Sequence, residues 1–347
     1  MARAEQTAPA GTPGDRARRS RRAGAIAAPA ILLLLVVLSI AIGSNDVGLS
    51  TVYDSLFHNT GTVDETVVTQ LRVPRTLLGL AVGAALGVGG ALMQALTRNP
   101  LADPGLLGVN AGASTGIVVA IGAVGITSPT GYVWFGLAGA AVVSVAVYLL
   151  GGGGTSGANP VRLALAGTAV TATLTAFISG ALLLNPSAFD QFRFWDVGAL
   201  AGRGYPVVDE TAPFIVVGLV IALLLARPLN ALALGDEGGK ALGVRVGRAR
   251  AAAMVAITLL CGAATAAAGP IVFVGLIVPH IARSLVGPDQ RLVLPLSAVL
   301  GAILLLAADI VGRVVLAPGE LEVGIVIAFL GAPVFIGFVR RRRIPQL

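Results

Sequence analysis

Apolar runs of near-membrane length recur along this chain. They fall at about 25–43, 74–93, 106–124, 131–150, 161–184, 211–226, 251–268, 271–279, 293–316 and 323–339. About 20 apolar residues in helical form cross a hydrocarbon layer of roughly 30 Å. Lipid offers no partner for backbone N–H and C=O groups, so a spanning segment must satisfy its own. A β-barrel would alternate polar and apolar residues along each strand, and these runs do not. The expected fold class is therefore an all-α polytopic membrane protein with about ten transmembrane helices. Charged residues make up 12% of the chain, about half the share in a soluble domain. Its 46 glycines suit helices that pack backbone to backbone in lipid. The run at 271–279 is too short to cross alone, and its bracketing Pro270 and Pro279 read as the limits of a half-helix.

Charge placement orients these spans. An even number puts both termini on one side, and both are basic: six arginines lie in the first 22 residues and four more occupy 340–343. By the positive-inside rule that side is cytoplasmic. It then holds 19 of the 24 Lys and Arg: the six leading arginines, Arg98, Arg162, five in 227–250, Arg283, Arg291 and the last four. Arg72, Arg75, Arg193, Arg203 and Arg313 fall outside, together with Asp54, Asp64, Glu65, Asp209, Glu210, Glu320 and Glu322. The net charge of +7 thus reads as membrane anchoring, with no nucleic-acid partner expected. Residues 1–24 are expected to be a disordered basic cytoplasmic tail, with a signal peptide as the alternative. Residues 25–340 form the membrane domain and 341–347 a cytoplasmic C-terminal tail. Cys261, the single cysteine, excludes an intrachain disulfide and reads as a small buried hydrophobe.

One polar, glycine-rich island interrupts the pattern, ARPLNALALGDEGGKALGVRVGRAR at 226–250. Each uncompensated charge at a bilayer centre costs roughly 2.5–3.5 kcal/mol, so the island lies in water, on the cytoplasmic side. A plain connecting loop is one reading. Against it, Leu232, Leu234, Ala241, Leu242, Val244 and Val246 form an apolar pattern broken at Gly235 and at Gly238-Gly239. Two short helices with an apolar face and no lipid to meet point to a docking surface for another protein.

Soluble-enzyme chemistry is nearly absent. His58 and His280 fall on opposite faces in this topology, so no metal site is expected. GDEGGKA lacks the leading glycine of a phosphate loop and ends in Ala241, so ATP is not expected to bind this way. Asp309 and Arg313 stand one helical turn apart and can pair; the alternative turns Arg313 toward an external partner. LRVPR at 71–75 opens the second span. Its arginines either snorkel to headgroups or receive carboxylates of an external protein. An ion-driven secondary transporter would need midplane carboxylates, and apart from the Asp309 pair the spans carry none. Segments 79–107 and 251–285 echo one another as a span, a proline-bearing turn and a short span, which suggests an inverted repeat.

Four stretches make the chain recognisable: LRVPRTLLGLAVGAALGVGGALMQALTRNPLADPGLLGVNAGA (71–113), LGDEGGKALGVRVGRAR (234–250), AGPIVFVGLIVPHIARSLVGPDQR (268–291) and ADIVGRVVLAPGELEVGIVIAFLGAPVFIGFV (308–339). They resemble the iron-siderophore and vitamin B12 family (FecCD-type) of bacterial ABC importer permeases, over about residues 25–340. The resemblance implies a type II ABC importer permease in the bacterial cytoplasmic membrane. It would pair with a second permease subunit, the same or homologous, around a central pathway. It would rest on ABC ATPase subunits that use the ATP, while this chain binds no cofactor of its own. A substrate-binding protein or lipoprotein would deliver an iron chelate, with vitamin B12 or haem as alternative cargo. Carried over by position, Arg72, Arg75 and Arg313 resemble the arginines that meet the binding protein. Residues 227–250, with Asp236, Glu237, Lys240, Leu242, Gly243, Val244 and Arg245, resemble paired coupling helices seated on the ATPase. Asn99 and Leu101 align with a loop that narrows the cytoplasmic end, and Pro279, His280 and Arg283 with a second cytoplasmic turn. The glycine-rich stretch at 151–161 matches the family poorly, so no gate residue is assigned there. A secondary transporter and a membrane scaffold remain as other function classes.

Overall fold

The computed structural model describes residues 13–43, 48–58, 61–152 and 160–340. The chain runs through α1 Pro13–Ala41, α2 Leu49–Phe57 and α3 Val63–Thr66. A π-helical turn, Val67–Arg72, joins α3 to α4 Val73–Thr97, and a 3-10 turn at Pro104–Leu107 leads to α5 Val109–Val119. Then come α6 Pro129–Leu150, α7 Pro160–Leu184, α8 Pro186–Asp196 and α9 Tyr205–Leu224. The island forms α10 Ala226–Ala233 and α11 Asp236–Ala241. The chain continues with α12 Val246–Ala268, α13 Val274–Val286, α14 Gln290–Val315 and α15 Val323–Arg340. Several starts are set by a capping side chain followed by proline. Ser128 accepts from the Gly131 N–H at 3.2 Å ahead of Pro129, and Asn185 from the Ala188 N–H at 3.1 Å ahead of Pro186.

Among the described residues, six helices are long and apolar enough to cross a membrane: Val63–Thr97, Pro129–Leu150, Val161–Leu184, Tyr205–Leu224, Val246–Ala268 and Gln290–Val315. Ile26–Ala41, Val109–Val124, Val274–Val286 and Val323–Gly337 are shorter apolar helices. Each of the ten apolar runs falls on one of these helices.

The core is organised on α4, whose apolar window is 78% buried, against 11% for α7. Small residues set the spacing. A Cβ added at Gly83 would stand 2.6 Å from the Gly301 carbonyl oxygen and 2.7 Å from Ala302 Cα. One added at Gly90 would overlap the Gly275 carbonyl. α4 therefore touches α14 and α13 backbone to backbone, as small residues permit in lipid. The pairing of Gly83 with Gly301, Gly87 with Ser297 and Gly79 with Leu306 makes α14 antiparallel to α4. At about 1.5 Å per residue, α4 is roughly 37 Å long, and its two ends define the two sites below.

Helix α1 begins at Pro13 and so takes in the basic residues ahead of its apolar part, where Ala and Arg are strong helix formers. Residues 1–12, 153–159 and 341–347 lie outside the described residues, and with them the rest of the N-terminal tail, most of the glycine-rich stretch and the C-terminal tail. Two expectations are corrected. Pro279 does not end the short span, since α13 continues through it to Val286. The helix instead starts late, after Gly269 and Phe273 take positive φ of 80° and 67°. Gly238-Gly239 lies inside α11; the second break falls at Gly243, with φ 80°, where only glycine adopts the left-handed backbone without strain.

Candidate functional site

At the N-terminal end of α4, Arg72, Arg75 and Arg313 come together around an interior carboxylate, Asp309. Arg75 Nη2 donates to Asp309 Oδ1 at 2.7 Å and Nε to the same group at 3.1 and 3.2 Å, while Nη1 reaches Glu320 Oε2 at 2.7 Å. Arg313 pairs with Asp309 from the next helical turn. Arg75 reaches Asp309 because the antiparallel crossing of α4 and α14 brings together residues 234 apart in sequence, while Arg313 meets it four residues along α14.

The same guanidiniums close the end of α1. A helix leaves its last four carbonyls without intrahelical partners, and a cation there also meets the negative end of the helix dipole. Arg313 Nη1 donates to Ser39 O at 2.6 Å and Ile42 O at 2.9 Å, and Arg72 Nη1 to Ala41 O at 2.7 Å and Ile40 O at 3.1 Å. Ser39 and Thr76 share a hydroxyl–hydroxyl bond of 2.8 Å beneath them. Arg72 is 5% exposed and Arg313 1%. Each of the three guanidiniums thus has a partner within the fold. In a low-dielectric setting an unpaired guanidinium is far costlier than one with a carboxylate and carbonyls in reach, so each turns inward. They do line a cavity of about 430 Å³ with Arg203, Gly202 and Glu320. Arg203 bonds the Tyr132 hydroxyl and lies over that ring, 5.8 Å from its centroid. Its Nε is buried without a hydrogen-bond partner. Sequence reading placed Arg203 on the outer side but gave it no role, because AGRGYP marks only a turn.

At the other end of α4 the chain makes a compact turn. Arg98 caps the helix at φ 49°. The Asn99 N–H donates to Gln94 O at 3.2 Å, the Leu101 N–H to Asn99 Oδ1 at 3.0 Å, and the Ala102 N–H to Asn99 O at 3.1 Å. Asp103 follows and accepts from the Gly105 N–H at 2.8 Å. Burial pushes its carboxyl above the ordinary carboxylate range, and that N–H opposes the shift. Behind the turn, buried Gln94 donates to the Gly275 and Leu276 carbonyls at 3.2 Å and accepts from Arg283 on α13. Pro279 is buried within α13, and His280 is half-buried beside it.

The island packs beside this turn. Leu229 and Leu232 of α10 are buried, while Leu234 and Leu242 are 71% and 63% exposed. Glu237, Lys240, Gly243 and Arg245 are also exposed, and the half-buried Val244 donates its N–H to Gly239 O at 2.9 Å. The Asn230 amide of α10 donates to Asp289 at 2.6 Å, and its carbonyl accepts from the Gln290 N–H at 2.9 Å. Asp289 caps α14 through the Arg291 N–H at 2.9 Å, and that bond, with Asn230, holds its carboxyl below the usual range. Asp236 receives Arg98 and also Arg250 at 2.9 Å. Neither arginine was singled out in sequence, since no local spacing relates them to Asp236.

Among the described residues, no three His, Cys, Asp or Glu side chains group as metal ligands would. Among the described residues, two clusters at the ends of α4 stand out, one of arginines around Asp309 and one of Arg98, Asp236 and Arg250 beside the exposed Leu234 and Leu242.

The chain is 48% identical over 321 residues to the ferric enterobactin transport system permease protein FepD of Escherichia coli (strain K12), covering 92% of this chain and 96% of that one. It is 42% identical over 306 residues to the Fe(3+)-citrate import system permease protein YfmD of Bacillus subtilis, covering 88% and 91%. It is 37% identical over 321 residues to the hemin transport system permease protein HmuU of Yersinia pestis, covering 90% and 95%. Its fold superposes with TM-score 0.80 on a structure described as an inward-facing metal-chelate type ABC transporter, at 27% identity, covering 91% of this chain and 98% of that one. The FecCD transport family matches residues 31–341, nearly the whole described chain, and the protein belongs to that family.

Proposed function

We propose that this chain is the transmembrane permease subunit of an ATP-driven importer that passes a ferric-siderophore-type chelate into the cytoplasm. The observation that carries the reading is the island. α10 and α11 present Leu234 and Leu242 to solvent on short, hinged helices, a surface suited to seating in the cleft of a separate ATPase. Hemin is named for one relative, so haem is the alternative cargo. In this reading the ten apolar helices span the cytoplasmic membrane with both termini and the island inside. The weakly buried α7, which exposes Thr168, Thr173, Thr175 and Ser179, faces the pathway and the second permease subunit. The arginine-lined cavity at the opposite end receives a carboxylate of the loaded binding protein, since a concave site with several guanidiniums favours anions. ATP-driven closure of the ATPase moves the island, and the Asn99–Leu101 turn gates the inner end as the two permeases rock.

The test is purification of the tagged chain in mild detergent, with an assay for ATP hydrolysis in the purified material. Wild type is expected to carry an active ATPase, and Leu242→Asp, which puts a charge into the apolar contact, to lose it. A correctly inserted wild-type chain that brings no ATPase would overturn the reading and favour an ion-coupled transporter.

A further inference from the structure

Helix α11 sits between Gly235 and Gly243, at φ 98° and 80°. Nothing lies within 4 Å of where a Cβ would stand at either glycine, so both ends of the helix turn on uncrowded residues. Among the described residues, its ionic hold on the rest of the molecule is the Asp236 carboxylate, which opens the helix. Oδ1 accepts from Arg98, at the end of α4, and from Arg250 Nη2 of α12 at 2.9 Å.

Arg98 belongs to a different part of the chain, 138 residues from Asp236. Its backbone takes a left-handed φ of 49°, which a non-glycine residue adopts only where its surroundings hold it. It leads directly into the turn of Asn99 and Leu101, which three hydrogen bonds tie together. Behind the turn, Gln94 is fastened to α13.

We propose that Arg98 is a positioning residue of the transport cycle. Its ion pair with Asp236 carries the displacement of α11 to the Asn99–Leu101 turn, so that movement at the ATPase contact opens or closes the inner end. The inference rests on the importer reading and names the residue that links its two inner parts. The plainer alternative is an incidental surface pair, since the two side chains are 37% and 39% exposed and such pairs add little stability. That modest contribution makes the two alternatives separable: removing the pair leaves the fold intact, with Arg250 still holding α11, and affects only what the pair transmits.

The experiment uses the complex of the chain with its copurifying ATPase, reconstituted in liposomes with the binding protein and a ferric chelate outside. ATP hydrolysis, chelate import and thermal midpoint are measured together. Arg98→Gln is expected to keep the midpoint and the ATPase rate while import per ATP falls about two- to fivefold, the factor set by a pair of this exposure. Arg98→Lys, which keeps the charge, is expected to recover most of the ratio. A wild-type ratio in Arg98→Gln, or no recovery in Arg98→Lys, would overturn the proposal. A wild-type complex that hydrolyses no ATP would overturn the importer reading as well, and it shows itself without any substitution.

Discussion

Asp309 is the residue whose loss the structure predicts to be most damaging at the arginine end. Asp309→Asn keeps the volume and removes the charge. The side chain is 1% exposed and bridges two guanidiniums. Arg75 would retain Glu320, and Arg313 would retain the Ser39 and Ile42 carbonyls, but neither would have a buried counter-charge. Breaking a buried pair by removing one partner costs roughly 3–5 kcal/mol. Unfolding entropy near 2.1 cal/mol/K per residue, taken over 347 residues, converts this to a fall of roughly 4–7 °C in melting temperature. The assay follows from composition: Cys261 is the single cysteine and is buried, so a thiol-reactive fluorogenic dye reports unfolding when the thiol is uncovered. Glu320→Gln serves as the internal control. It breaks the Arg75 pair on its more exposed side, where the expected cost is below about 1 kcal/mol, a shift of at most about 1–2 °C. A melting temperature for Asp309→Asn within 1 °C of wild type, or a larger fall for Glu320→Gln, would refute the claim that Asp309 centres the cluster.

Two further outcomes are expected. Gly83→Ala places a methyl 2.6 Å from the Gly301 carbonyl oxygen and 2.8 Å from the Ala302 nitrogen. Backbone cannot rotate aside, so α4 and α14 must separate, and overpacking of this kind costs about 1–3 kcal/mol or more; Gly247→Ala, with nothing within 4 Å, should melt like wild type in the same dye assay. Arg203→Gln removes a cavity-lining cation whose hydrogen-bond partner is a tyrosine hydroxyl; binding of the loaded binding protein should weaken roughly tenfold and become less salt-dependent, while unchanged affinity would remove the cavity from the docking surface.

The sequence by itself determined the helical membrane class, the place of ten apolar helices and the island. These follow from local quantities: run length, the rarity of charge within runs, and the break at Gly235. It also put Asp309 and Arg313 one helical turn apart. The tertiary structure alone decided what the arginines meet. Asp309 takes Arg75 as well as Arg313 because Gly83 and Gly301 let α4 and α14 cross in contact. Arg72 and Arg313 turn inward because the end of α1 leaves carbonyls unpaired beside them. Asp236 meets Arg98 because the island folds back under the end of α4. Helix formation reads neighbours three and four residues apart, which a sequence displays. Charge pairing in lipid reads whatever the packing of small residues brings within reach, and that is fixed only when the helices are in place.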